Sequence, residues 1–120
     1  MPAALTLYGI PNCDQVRRAR AWLDQRRTPY RFHDFKRDGL PPALASAWLA
    51  ALGAEALINR KGTTWRRLSD AERASADAPA GALALLTAQP SLVRRPVLAA
   101  RGRICAGYDE RAFEELIGDV

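Results

Sequence analysis

A chain of 120 residues is long enough for one hydrophobic core and too short for two independent domains. Its 48% hydrophobic and 26% charged content is that of an ordinary globular protein. The longest apolar-leaning stretch, Ala78 to Ala88, is broken by Pro79 and Gly81 and falls far short of a membrane span. The net charge of +5 raises nucleic acid as a partner, yet of 18 basic residues only Lys36 and Lys61 are lysines. The arginines fall in scattered pairs (Arg17-Arg18, Arg26-Arg27, Arg66-Arg67, Arg94-Arg95) with no long basic tract. They read as solvated helix faces, and a small anionic substrate suits the planar guanidinium fork better than DNA does.

The first seven residues carry neither a basic segment nor a long apolar one, so no secretory signal is expected. Two cysteines, at 13 and 105, do not make a disulfide framework. A reduced, cytoplasmic protein is the natural expectation, any disulfide being transient.

Leu5-Thr6-Leu7-Tyr8 alternates as a strand does and is closed by Gly9 and Pro11. From Asp14 onward Val16, Ala19, Trp22 and Leu23 recur at helical spacing, and Pro29 stops that helix. Tyr30 to Phe35 has the aromatic alternation of a second strand, and its connection through a helix predicts a parallel βαβ unit. For about sixty residues the strand signal then disappears. Pro41-Pro42 opens a helix carrying Leu44, Trp48, Ala51 and Leu52, with Gly53 at its C-terminus. Ala54–Asn59 predicts a short helical piece running into the Arg60-Lys61-Gly62 loop. Ser69-Asp70-Ala71-Glu72 fits a capping box, and Pro79 to Gln89 is a further helix ended by Pro90. The β pattern returns over Pro96–Ala100, Arg101-Gly102 supplies a hairpin turn, and Arg103–Gly107 is the partner strand. Asp109 caps a last helix with Phe113, Leu116 and Ile117 facing inward. The order predicts an α/β, thioredoxin-like four-stranded mixed sheet (β-α-β, helical insertion, β-β-α). It is read as one domain over 1–120, with the core in 1–40 and 90–120 and the insertion in 41–89.

The residue that carries chemistry is Cys13, where the first strand pattern turns into the first helix pattern. A thiol there meets the unpaired N–H groups of the helix start, which favour negative charge. Only the thiolate is nucleophilic, and helix N-termini are among the sites that lower a cysteine pKa. Arg17, one turn on, adds positive potential or simply faces solvent, and Asp14 opposes it. Position 16 is valine, so there is no Cys-x-x-Cys pair. Cys105, between Ile104 and Ala106, reads first as a core residue and second as a resolving thiol. His33, the only histidine, reads as a surface strand residue in preference to a catalytic base. One histidine and two distant cysteines make no zinc site. Trp22 and Trp48 fall on apolar helix faces, whereas the pattern does not place Trp65.

Four segments carry a family resemblance: Gly9-Ile10-Pro11-Asn12-Cys13-Asp14, Asn59-Arg60-Lys61-Gly62, Ser91 to Val97, and Gly107-Tyr108-Asp109-Glu110. In order and spacing they resemble the ArsC/Spx/YffB superfamily, the arsenate reductase-like branch of the thioredoxin fold, over essentially the whole chain. Asn12-Cys13-Asp14 together with Gly107 to Glu110 is most similar to the YffB-type proteins, proposed glutathione-dependent thiol reductases. The resemblance implies a nucleophilic role for Cys13 on a small oxyanion or a disulfide, with oxyanion-binding roles for Arg60 and Arg95. It also implies a cis peptide before Pro96, and Asn12, Asp14, Arg17 and Pro96 are expected to border the substrate. No bound cofactor or metal is expected; glutathione, or a glutaredoxin-like thiol donor, is the expected co-substrate. One departure matters: where the arsenate reductases carry a third arginine, this chain has Ala106. Two other functions stay open, an Spx-like regulator binding RNA polymerase and a genuine glutathione- or glutaredoxin-coupled arsenate reductase.

Overall fold

A computed structural model describes residues 5–100 and 102–118. The expectations touching Met1–Ala4 and Arg101, an N-terminus without a leader and the first residue of the hairpin turn, lie outside them. In chain order the elements are β1 (Leu5–Gly9), α1 (Asp14–Gln25), β2 (Arg31–Asp34), α2 (Phe35–Asp38), α3 (Pro42–Leu52) and α4 (Ala54–Leu57). There follow α5 (Thr63–Arg66), α6 (Asp70–Ser75), α7 (Pro79–Ala88), a 3-10 turn (Pro90–Leu92), β3 (Val97–Ala100), β4 (Arg103–Ala106) and α8 (Glu110–Gly118). The chain divides into two compact units, one built from the segments up to Asp38 and from Arg95, the other from Gly39–Arg94.

The first unit is a four-stranded mixed sheet of order β2-β1-β3-β4. β1 runs parallel to β2 and antiparallel to β3, which runs antiparallel to β4. The alternation in β1 does what period two requires: Leu5 and Leu7 are fully covered, while Thr6 and Tyr8 on the other face are half-buried. α1 turns Val16, Ala19, Trp22 and Leu23 inward, and α8 adds Phe113 and Leu116. Trp22 meets Phe113 edge-on at 5.6 Å between ring centroids, and Tyr108 meets the same ring at 5.6 Å. Such pairs add roughly 0.5–1.5 kcal/mol beyond the area they bury. The Arg26 guanidinium lies 4.0 Å over the Trp22 ring and donates to Glu114 Oε1, pinning the end of α1 to α8.

The sheet matches the thioredoxin-like expectation, with one local difference. Phe35 does not end a strand but starts α2, because Asp34 Oδ1 accepts the Lys36 N–H at 2.9 Å and turns the chain. A short aspartate side chain competing for backbone donors in this way favours turns over ladders.

The second unit is helical. α3 opens at Pro42 and stops at Gly53, whose φ of +82° suits a residue without a Cβ. The capping box of α6 is present: Glu72 N donates to Ser69 Oγ at 3.1 Å and Ser69 N to Glu72 Oε1 at 2.8 Å. Gly81, in α7, faces the end of α6 so closely that an added Cβ would sit 2.0 Å from the Ser75 carbonyl oxygen. α5 is not visible in the hydrophobic pattern; it is a single four-residue turn with no buried residue. Ile58 bridges to Val93, Asn59 N donates to the Leu92 carbonyl, and Arg94 N donates to that of Leu57. This short ladder anchors the residues just before Arg95.

Candidate active site around Cys13

The loop that presents Cys13 is shaped by a close approach. An added Cβ on Gly9 would lie 2.5 Å from Val16 Cγ2, and Val16 is fully buried. The first turn of α1 therefore presses directly on the end of β1, and any side chain at position 9 would force one of them to shift. Between these two fixed points the chain turns through exposed Pro11 and Asn12. Cys13 is the N-cap of α1, in extended conformation (φ −107°, ψ 129°), and its carbonyl accepts the Arg17 N–H at 2.9 Å. Its side chain makes no capping hydrogen bond and is half-buried, so the thiol is spared for chemistry beside the free N–H groups of the helix start. Asp14, the first helical residue, is exposed and pairs with the Arg17 guanidinium.

Pro96 is buried, and the Arg95–Pro96 peptide is cis. Its carbonyl accepts the Gly107 N–H at 2.8 Å, which continues the β3–β4 ladder by one step. Tyr8 is opposite Val97 in the antiparallel β1–β3 pair. The chain therefore enters β3 at the end of the sheet where β1 leaves toward Cys13. Sheet register thus brings the Arg95–Pro96 segment and the Cys13 loop to one edge of the first unit. Arg60 belongs to the second unit, where its exposed guanidinium sits 5.1 Å from the centre of the Trp65 ring. Trp65, which the pattern leaves unplaced, is half-buried and supports that cation; an aromatic five residues after Arg60 is the only sequence trace of it.

Cys105 is built differently. It lies opposite Leu98 in β4, packs on the core of the first unit, and burial pushes its thiol up to about 11. Its thiolate is scarcer than that of an ordinary thiol, which suits the core reading better than the resolving one. Ala106, opposite Val97, offers only a methyl group where the resemblance has an arginine, and Arg103 is exposed further along the strand. His33 is half-buried between the rings of Tyr8 and Phe35, at 5.0 and 5.8 Å. It is thus more enclosed than a surface strand residue. Among the described residues no group of three or more histidine, cysteine or acidic side chains is placed to hold a metal ion.

A thioredoxin-like sheet with a cysteine at the N-cap of its first helix is the architecture of an arsenate reductase-like thiol protein. Residues 8–116 match the ArsC family, and the chain belongs to it. A solved structure described as YffB is 40% identical, covers 93% of this chain and 97% of its own, and superposes with a TM-score of 0.88. An arsenate reductase-related protein from Brucella melitensis is 38% identical over 95% of this chain and 94% of its own, with a TM-score of 0.75. The global transcriptional regulator Spx of Streptococcus pyogenes is 30% identical over 118 residues, covering 91% of this chain and 84% of its own.

Proposed function

We propose that the protein is a monothiol oxidoreductase that reduces a small disulfide or oxyanion through Cys13, with glutathione or a glutaredoxin-like protein as thiol donor. In the disulfide reaction the Cys13 thiolate attacks one sulfur, the substrate S–S bond breaks, a mixed disulfide forms, and the other half leaves as a thiolate that takes a proton from water. A donor thiolate then attacks the mixed disulfide and returns Cys13 to its reduced form. The observation that carries the reading is the half-buried, uncapped thiol at the start of α1. The second thiol is external in this reading, because Val16 occupies the position three residues on and the Cys105 thiol is pushed up to about 11. Arg95 is the anion ligand within the same unit; Arg60 enters only through the motif it shares with the arsenate reductases. Asn12, Asp14, Arg17 and Pro96 border the substrate. A reducing, cytoplasmic setting suits this chemistry, and no helix among the described residues is long and apolar enough to cross a membrane.

Intact-mass analysis after treatment with oxidised glutathione tests the reading. Wild type and Cys105→Ser gain one glutathionyl group at neutral pH, and Cys13→Ser gains none. An adduct that survives Cys13→Ser refutes it.

The 30% identity to Spx favours a second reading, a regulator that binds RNA polymerase through its surface. Recovery of polymerase subunits on the immobilised protein, unchanged by Cys13→Ser, supports that one. Arsenate reduction is a third, weakened by Ala106. One missing charge-assisted hydrogen bond to an oxyanion costs about 1.5–3 kcal/mol, roughly ten- to a hundredfold in rate. Little rescue of an arsenate-sensitive strain is expected.

A further inference from the structure

We infer that Asp14 sets the charge preference of Cys13 by holding the Arg17 guanidinium, so that the thiol accepts disulfides whose near end is cationic or zwitterionic more readily than it would with Arg17 free. The inference rests on the reading of Cys13 as the nucleophile and names its substrate class.

Asp14 follows Cys13 directly, which places the two α-carbons about 3.8 Å apart. Its carboxylate pairs with Arg17, three residues on along the same turn. Both side chains are solvated, at 84% exposure for Asp14 and 57% for Arg17, so neither is needed for packing. The pair has two consequences for a molecule approaching the sulfur. A negative charge is carried by the residue that follows Cys13, and the Arg17 guanidinium is paired with that charge. Helix-start N–H groups and an arginine one turn on would together make an anion site; the aspartate between them takes that arginine out of it.

With Arg95 in the same unit, the charged side chains named around Cys13 are one carboxylate and two guanidinium groups, one of the latter held by the carboxylate. Removing the carboxylate frees the second guanidinium and moves the preference toward a dianion.

The two partners of the pair give opposite signs when removed, which a loss of helix stability does not. Asp14→Asn removes a negative charge and releases Arg17; Arg17→Ala leaves the carboxylate unpaired. Unit charges about 7 Å apart in a water-like dielectric change a rate by about threefold, and the effect disappears once salt shortens the screening length to about 3 Å at 1 M. The test uses the Cys105→Ser protein, so that only Cys13 is followed. Its rates are measured with cystamine (a dication), 5,5′-dithiobis(2-nitrobenzoate) (a dianion) and neutral 2,2′-dithiodipyridine. In each the Cys13 thiolate attacks, the reagent S–S bond breaks, Cys13 gains one half and the other half leaves as a thiolate. That thiolate takes up a proton with cystamine, stays ionised with the dianion and takes up a proton to become the thione with the pyridine reagent.

Asp14→Asn is expected to lower the cystamine-to-dianion rate ratio about tenfold at low salt, and Arg17→Ala to raise it. Each rate is read relative to that of the neutral reagent, so a loss common to all three cancels, and 1 M salt abolishes both shifts. Equal changes with all three reagents, or an unaltered ratio at a reactive Cys13, overturn the charge assignment and leave the thiol reading intact. A Cys13 inert to every reagent overturns both.

Discussion

Gly9→Ala is the perturbation most directly tied to the geometry of the Cys13 loop. The new methyl would lie 2.5 Å from Val16 Cγ2 and 3.3 Å from Cγ1, so α1 or β1 has to yield by about 1 Å to restore an ordinary carbon contact near 3.5–4.0 Å. Overpacking of this kind costs about 1–3 kcal/mol, against which reduced freedom of the unfolded chain returns about 0.4–1. A net loss of about 1–2 kcal/mol is expected. Val16→Ala alone removes two buried methyl groups and costs about 2–3 kcal/mol with its cavity. In the double variant the alanine at 9 fills the space that the valine vacates. The two losses then fall short of their sum by about 1–2 kcal/mol. Urea unfolding of the wild type, both single variants and the double variant measures this coupling. Cys13 alkylation supplies a second readout: Gly9→Ala shifts the start of α1 and changes the rate, and the double variant restores it. Losses that add to within about 0.5 kcal/mol, with alkylation unchanged throughout, would refute the claim that Val16 sets the loop through Gly9.

Two further expectations concern the rest of the first unit. Burial raises the Cys105 thiol from 9.0 to about 11, so the folded protein keeps its proton after the unfolded chain has lost it. Stability from this group is complete below pH 9 and is lost between about 9 and 11. Allowing for partial exposure of the thiol, the gap in unfolding free energy between wild type and Cys105→Ala should shrink by about 1 kcal/mol as the pH rises from about 8 to about 10.5; a gap independent of pH contradicts the assignment. Asp109 Oδ1 accepts the Arg111 and Ala112 N–H groups at 3.0 and 3.2 Å. Asp109→Ala should therefore lower stability in urea by about 1 kcal/mol, and Asp109→Asn, which keeps the cap, by much less.

The elements legible in the sequence are those that carry two agreeing signals. β1 has alternation and a closing Gly-Pro; α1 has an apolar stripe and Pro29 as a stop; α6 has its capping box and α8 its aspartate cap. α2 and α5 have neither signal. Each is a single turn of four residues set by local hydrogen bonds, which periodicity over a longer window cannot detect. The same division runs through the candidate site. The position of Cys13 at the start of a helix is legible from strand, glycine, proline and helix patterns in succession. The contact of Gly9 with Val16, the support of Arg60 by Trp65 and the enclosure of His33 by Tyr8 and Phe35 are not, because they depend on which side chains the fold brings into contact. Asp14 and Arg17 fall at a spacing that permits pairing, but spacing does not say whether a solvated arginine turns to its neighbour or to a ligand.

The pairing of β1 with β3 has a consequence for biosynthesis. Tyr8 pairs with His33 of β2 but finds its β3 partner only at Val97, whereas Gly39–Arg94 is continuous in sequence. On a ribosome the helical unit is available to collapse while β1 has only β2 for company. The middle of the sheet stays open until β3 emerges and inserts beside β1. Closing a chain loop of that length is entropically unfavourable and slow relative to local helix formation. The edge of β1 is therefore exposed longest in the nascent chain, at the strand that leads into Cys13.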